Sequence, residues 1–251
     1  MHLAEDSLSV VNLIVTSGVG LCAFGIACWG SRKEISSRNL GSWLAMTGFV
    51  LIAQKVNFST GLGFSGHFLG VALLTTIFGP WSAMLSIGFT LAVQAVFLGD
   101  GSVATLGVNF INMGIMPAGT AYFLFYIMQG RRRMLKDAGQ LIAMALASYF
   151  SLLVSALSLG LTLGFAIGSL ISIYALVAFF ETFISVVIFY VCARYKYRTK
   201  PELTERSLVL PILMFGLIAA LLISYNSQLP DALGRTIELY TLGQSDLPVK
   251  L

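Results

Sequence analysis

Charged residues are scarce in this chain, and several catalytic signatures are absent from it. Only 10% of the 251 residues are charged and 57% are hydrophobic, whereas a soluble domain typically has about 25% charged residues. The sequence contains no GxxxxGK[ST] phosphate-binding loop, no HExxH zinc motif and no GxSxG nucleophile motif. These absences exclude a P-loop ATPase and the common hydrolases. The composition predicts a membrane protein instead.

Histidine and cysteine are also rare. Histidine occurs only at His2 and His67, and cysteine occurs three times. The cysteines stand in apolar runs without CxxC spacing, which predicts packing residues rather than a metal or redox site.

Long apolar runs recur along the chain, each close to the roughly 17–25 residues that cross a bilayer as a helix. The first residues are acidic rather than basic, so we predict a retained first helix rather than a signal peptide. The fold class predicted is all-α: a polytopic membrane helical bundle of about eight transmembrane helices. The predicted spans are 8–30, 40–57, 67–80, 81–98, 110–129, 140–158, 164–192 and 207–225.

The basic residues predict an orientation. Twelve of the fifteen Lys and Arg lie in the segments 31–38, 131–136 and 194–206. If these face the cytoplasm, the positive-inside rule is satisfied with both termini outside, and the turn at 79–80 shares the side of 31–38. The net charge of +4 is then explained by topology and does not indicate a nucleic-acid partner; membrane lipid is the expected surrounding.

The histidine at position 2 carries chelate chemistry. The Met1 amine, the His2 backbone amide and the His2 imidazole supply three nitrogens that close fused five- and six-membered rings around a metal. One further nitrogen completes a square plane, which is typical of Ni(II) or Cu(II) and accessible to Co(II). His67 follows the Gly-rich stretch GLGFSG and lies on the same predicted side of the membrane. The alternative is that each histidine is an ordinary residue at the membrane interface.

Two stretches, 54–81 and 94–119, together with the Met-His start, resemble the CbiM/NikM family. Members of that family are the substrate-binding (S) components of energy-coupling-factor (ECF) transporters for cobalt and nickel. The positions that match the family pattern are Met1, His2, Lys55, His67, Gln94, Asp100, Leu106, Gly107 and Asn109.

The resemblance implies a ligand set. In that family the metal is held by the amino terminus, by the backbone nitrogen and imidazole of the second residue, and by a later histidine, which here are Met1, His2 and His67. The family often has Ser-His-Pro where this chain has Gly66-His67-Phe68, so the metal preference stays open between nickel and cobalt. The residues expected to support the site are Lys55, Gln94, Asn109 and Glu181.

Lys55 and Glu181 are charges within apolar spans. Their distances from the basic segments place both in the outer half of the bilayer, where a charge needs a partner or marks a pathway. We predict that they form an ion pair that braces the metal-binding loop.

The C-terminal segment resembles a second protein. The stretch SQLPDALGRTIE (227–238) is similar to part of the small accessory (NikN-like) subunit that is separate in some of these systems. We therefore predict two units: a metal-binding S-component bundle at 1–200, and an accessory helix with an extracytoplasmic tail at 207–251. The alternative is an eighth helix with an unrelated polar tail.

The resemblance implies a transporter subunit rather than an enzyme, with Ni²⁺ or Co²⁺ as its transported substrate and no organic cofactor. A membrane scaffold (T) subunit and ATPase (A) subunits are the expected partners, and the expected location is the cytoplasmic membrane of a bacterium or archaeon. One alternative is a metal-dependent intramembrane enzyme, which needs three protein ligands, an open position and a general base. Another is a gradient-driven metal carrier, which typically has internal repeats and ionisable residues at the midplane.

Overall fold

The computed structural model describes residues 3, 8–60, 65–131, 137–164, 166–198, 208–223, 229 and 231–241. These residues are mostly helical. The helices are α1 (Val10–Ser31), α2 (Leu40–Ala53), α3 (Val71–Phe78), α4 (Pro80–Phe97), α5 (Leu106–Phe110), α6 (Met116–Arg131), α7 (Asp137–Leu163), α8 (Ile167–Arg198), α9 (Val209–Leu222) and α10 (Ala232–Thr241). Two short strands, β1 (Asn57–Ser59) and β2 (Ser65–His67), form an antiparallel hairpin.

Five helical stretches are long and apolar enough to cross a membrane: Val10–Ser31, Pro80–Phe97, Leu106–Met128, Ala138–Leu163 and Ile167–Ala193. Leu40–Ala53 and Val209–Leu222 are shorter apolar helices. The prediction of a helical multi-pass membrane protein is therefore confirmed. The number of crossings and the orientation remain predictions.

The third predicted span, 67–80, is not a continuous helix. Its first residue, His67, ends β2 and pairs with Asn57, and α3 starts only after Gly70. The φ angle of Gly70 is 76°, a left-handed conformation that glycine adopts without strain. The eight residues of α3 rise about 12 Å, less than half of a hydrocarbon core about 30 Å thick. Hydropathy does not distinguish the apolar end of this hairpin from the first turn of a helix.

Glycines allow some helices to approach each other closely. A Cβ built on Gly107 of α5 would lie 2.4 Å from the Cα of Ser17 in α1, and one built on Gly20 would lie 2.8 Å from the Cα of Gly107. The backbones of α1 and α5 are therefore in direct contact, as small residues permit between membrane helices. Near the other end of α1, a Cβ on Gly30 would overlap the ring of Trp81, at 2.5 Å.

The segment after α1 and the start of α4 meet at one end of the bundle. The backbone N–H of Ser82 donates to the carboxylate of Glu34, at 2.7 Å. A Cβ on Gly79 would lie 2.3 Å from the same carboxyl carbon. Segment 31–38 and the turn at 79–80 therefore lie at the same end of the bundle, and the side of the membrane that they face stays a prediction.

A π-helical turn (Ile111–Ile115) separates α5 from α6 within one continuous helical stretch. Such a turn shifts the backbone hydrogen-bond pattern from i+4 to i+5. The hydroxyls of Ser155 and Ser158 on α7 donate to the backbone carbonyl and the side-chain Oδ1 of Asn112, respectively. The irregular backbone is thus satisfied by a neighbouring helix.

Candidate metal centre

Met1 and His2 lie outside the described residues, but the residue that follows them is held firmly in the interior. Leu3 is fully buried. Its backbone N–H donates to Oδ1 of Asn109, and its carbonyl accepts from the Oγ1 hydroxyl of Thr105, both at 2.9 Å. The Asn109 amide also donates to Oγ1 of Thr105, at 3.2 Å. The beginning of α5 therefore fixes the backbone directly after His2.

His67 stands at the end of β2, on a hairpin that lies flat against α8. The side chain is half-buried, and its Nδ1 atom is fully buried. A Cβ on the preceding Gly66 would lie 2.9 Å from Val177 of α8 and 3.0 Å from the ring of Phe58. Glycine is required at position 66 because the strand packs directly on these side chains, and this packing sets the depth of His67.

The peptide groups that follow His67 are held by buried polar side chains. The two carboxylate oxygens of Glu181 accept hydrogen bonds from the backbone N–H groups of Leu69 and Gly70, at 2.9 and 3.0 Å. The amide of Gln54 donates to the Leu69 carbonyl at 2.9 Å, and the amide of Gln94 donates to Gln54 at 2.9 Å. Glu181, Gln54 and Gln94 lie on α8, just after α2 and on α4, so three helices meet at this loop. We call these three side chains the loop clamp.

The predicted ion pair between Lys55 and Glu181 is wrong. Lys55 instead pairs with Asp100, with 2.9 Å between Nζ and Oδ2, and both side chains are about one-third exposed. Glu181 is buried, at 2% exposure, and its carboxylate is satisfied by the two N–H groups of Leu69 and Gly70. A buried carboxylate that accepts two backbone hydrogen bonds is stabilised without a lysine partner.

The Lys55–Asp100 pair connects the hairpin to the region that holds the N-terminal segment. Lys55 is two residues before β1, and Asp100 lies in the loop that leads to Thr105. The backbone N–H of Asp100 donates to the carbonyl of Gln94, at 3.0 Å. Leu3 and His67 are therefore held at the same end of the bundle. The Lys55–Asp100 ion pair and the loop from Asp100 to Thr105 connect them.

The C-terminal segment reaches the same hairpin. Ser65 forms a parallel β-bridge with Asp231, and the Ser65 hydroxyl donates to the carbonyl of Leu229, at 3.0 Å. Burial opposes ionisation of Asp231, but nearby positive charge, including that of His67, and the Gly234 N–H at 2.7 Å hold the pKa of this carboxyl well below its usual range. A negative charge thus faces the side of the hairpin that carries His67.

The structure describes some of the predicted site residues and not others. The structure places His67, Lys55, Gln94, Asn109 and Glu181 around one end of the bundle, with the contacts given above. Within the described ranges, no three His, Cys, Asp or Glu side chains form a metal-binding group. Met1 and His2, two of the three predicted metal ligands, lie outside these ranges.

Two residues of this region were missed by sequence reasoning. Gln54 is a polar residue at the end of an apolar run, and a side-chain amide in that position is a recognisable signal of a buried polar contact. Thr105 directly precedes α5, a position where threonine is favoured. Its hydrogen bond to Leu3, 102 residues away, has no local sequence signal.

Comparison with known proteins identifies the family. The family described as "Cobalt uptake substrate-specific transmembrane region", CbiM, matches residues 2–199. The fused nickel transport protein NikMN of Rhodobacter capsulatus is 26% identical over 157 residues, which are 62% of this chain and 45% of that protein. The chain thus spans less than half of that relative. The cobalt transport protein CbiM of Thermosipho melanesiensis is 28% identical over 223 residues, covering 83% of this chain and 92% of that protein.

A solved structure has the same fold. The crystal structure of a transition metal transporter superposes with a TM-score of 0.67 and 22% sequence identity, covering 84% of this chain and 99% of the other. This likeness concerns the fold alone. The match across residues 2–199 shows that this chain, a multi-pass membrane protein with several apolar helices, belongs to the CbiM family, in which relatives are named as cobalt and nickel transport proteins.

Proposed function

We propose that this chain is the substrate-binding and translocating membrane subunit of an ATP-driven importer of Ni²⁺ or Co²⁺. The observation that carries the proposal is the anchoring of Leu3 by Asn109 and Thr105. This anchoring fixes the backbone directly after the Met-His pair at the end of the bundle where the hairpin carries His67.

The metal would be held by four nitrogens in a square plane. Met1 would contribute its amine, His2 its deprotonated amide and its imidazole, and His67 the fourth nitrogen. This donor set suits Ni(II) and is accessible to Co(II). The half-buried position of His67 supports a site that is shielded from solvent.

Residues 207–251 would act as the accessory unit that covers the metal-binding hairpin. The hydrogen bond from Ser65 to Leu229 and the bridge from Ser65 to Asp231 support this role. The carboxylate of Asp231 would also add attraction for a divalent cation that approaches His67.

Transport would require a membrane scaffold (T) subunit and ATPase (A) subunits, because the chain has no P-loop of its own. Both termini would lie outside the cell, so that the site is loaded from that side. ATP-driven movement of the partners would then reorient this subunit and release the ion inward.

Titration of the purified chain with Ni(II) and Co(II) tests the ligand set. A chain that starts at Met1 is expected to bind one ion tightly, whereas a variant with one added residue before Met1 is expected to lose tight binding and keep its thermal stability. Equal affinity of the two forms would refute a site that contains the amine.

Reconstitution tests the transport mechanism. Uptake in vesicles is expected to require ATP and the partner subunits. Uptake by this chain alone, driven by an ion gradient, would identify a secondary carrier instead.

A further inference from the structure

The carboxylate of Glu181 holds the backbone two and three residues after the proposed metal ligand His67. Both of its oxygens are used: one accepts from Leu69 N–H at 2.9 Å and the other from Gly70 N–H at 3.0 Å. The side chain is only 2% exposed. The partners are backbone groups, so this contact fixes the path of the chain and not the identity of the side chains along it.

The same peptide is held from its other side. The carbonyl of Leu69 accepts from the Gln54 amide, and the Gln94 amide donates in turn to Gln54, each at 2.9 Å. Gln54 and Gln94 are buried. The chain after His67 is therefore fixed by both its donor and its acceptor groups, through side chains from outside the hairpin.

A glutamate from a distant helix holds the backbone directly before α3. The first N–H groups of a helix need acceptors, and a short polar side chain just before the helix usually supplies one. Here the residue before α3 is Gly70, which has no side chain, and Glu181 from α8 accepts instead from the N–H of Gly70 itself and of the preceding Leu69. A buried carboxylate is tolerated only where its hydrogen bonds are satisfied. The contact ties the position of α8 to the position of the hairpin.

We propose that Glu181 is a positioning residue for His67. By holding the Leu69–Gly70 backbone, it keeps the end of β2 at the depth where the His67 imidazole meets the other metal ligands. This inference rests on the function proposed above.

The test compares Glu181→Gln with the matched control Ser185→Ala. The Gln variant keeps the side-chain shape but replaces one acceptor oxygen with an NH₂ group that cannot accept from a backbone N–H. Ser185 is buried one turn further along α8, and its hydroxyl makes no hydrogen bond to the described residues. Ni(II) is loaded onto each purified variant, and its release to excess EDTA is followed by absorbance, with the melting temperature measured in parallel.

Glu181→Gln is expected to release Ni(II) about 10-fold faster, as loss of a charge-assisted hydrogen bond implies, while the absorption spectrum keeps the wild-type shape because the ligands are unchanged. Ser185→Ala is expected to release Ni(II) at the wild-type rate. In a His67→Ala background, Glu181→Gln is expected to lower the Ni(II) affinity no further, whereas any drop in melting temperature that Glu181→Gln causes by itself is expected to be the same in both backgrounds. Coupling of this kind separates positioning from general stability.

A wild-type release rate in a folded Glu181→Gln variant would overturn the inference and leave the proposed function standing. An additive effect on affinity in the His67→Ala background would also overturn it. If the wild-type chain binds no Ni(II) at all, the proposed function fails as well. If Glu181→Gln does not fold, Gln54→Met decides, since it removes the donor to the Leu69 carbonyl from the other side. Faster release from that variant supports the inference, and a wild-type rate overturns it.

Discussion

Replacement of Gly107 by alanine is expected to push α5 away from α1. The new Cβ would lie 2.4 Å from the Cα of Ser17 and 2.5 Å from the carbonyl oxygen of Thr16, whereas ordinary contact begins at 3.4 Å. Both neighbours are backbone atoms, so no side chain can rotate out of the way. The two helices must separate by roughly 1 Å to accept one methyl group.

The expected loss of stability follows from two opposing effects. Overpacking in a well-packed region costs about 1–3 kcal/mol, and a clash with rigid backbone belongs at the upper end of that range. Alanine returns up to about 1 kcal/mol through its higher helix propensity. The net loss is about 2 kcal/mol, or a melting temperature lower by roughly 4–8 °C for a chain of this size. Metal affinity should also fall, because α5 carries Asn109, which holds Leu3.

Thermal unfolding in detergent and Ni(II) titration measure both effects. Gly119→Ala is the matched control: it lies in the helix that continues from α5, and a Cβ there has no neighbour within 4 Å. We expect this variant to be as stable as the wild type or slightly more stable, with unchanged affinity. If Gly107→Ala melts at the same temperature as Gly119→Ala, the direct backbone contact between α1 and α5 is refuted.

Three further predictions concern the metal and the ion pair. His67→Ala should lower Ni(II) affinity by several-fold to orders of magnitude without abolishing it, and His2→Ala should be more severe because it destroys a chelate ring. The wild-type Ni(II) complex should be yellow and diamagnetic. A green paramagnetic complex would contradict a planar site. Affinity should fall steeply from pH 8 to 6, with protons released on binding, because the metal competes with protons on an amine of pKa about 7.7–8.0 and imidazoles of pKa about 6.5; constant affinity in isothermal titration would indicate carboxylate ligands. Asp100→Asn should lower stability by less than about 1 kcal/mol, since its pair with Lys55 is partly exposed, and a larger drop in the melting temperature would show a role beyond the pair.

The long helices were predictable from sequence because each is apolar over its whole length, on its buried and its exposed sides alike. The predicted spans 8–30, 81–98 and 140–158 correspond closely to α1, α4 and α7. Hydropathy predicted the wrong start for the helix at 67–80, because Phe68 and Leu69 are as apolar as residues of a membrane helix. Both lie in the link between the hairpin and α3. Backbone geometry at Gly70, rather than composition, decides where α3 begins.

The neighbourhood of the site was predictable as a list of residues but not as a set of contacts. Lys55 and Glu181 stood out as charges within apolar spans, and Gln94 and Asn109 followed from the family resemblance. Each of the four has a hydrogen bond or ion pair in the structure. The partner of Glu181 could not be predicted, since two backbone N–H groups more than 100 residues away leave no side-chain signature. An argument that pairs opposite charges selects Lys55 as the partner of Glu181, because it considers charged side chains and not backbone N–H groups.

The π-helical turn at Ile111–Ile115 has a consequence for how the length of this helix can vary. Because an i+5 turn accommodates one residue more than an α-helical turn, removal of one residue here would restore a regular helix. Because the wider turn absorbs the extra residue, the segments before and after it would keep nearly the same rotation about the helix axis. Asn109 would then keep its contact with Leu3, and the change would fall on the turn itself, where Ser155 and Ser158 donate to Asn112. Homologous chains that are one residue shorter here should therefore keep the asparagine that holds the N-terminal segment and lose the two hydroxyl contacts from α7.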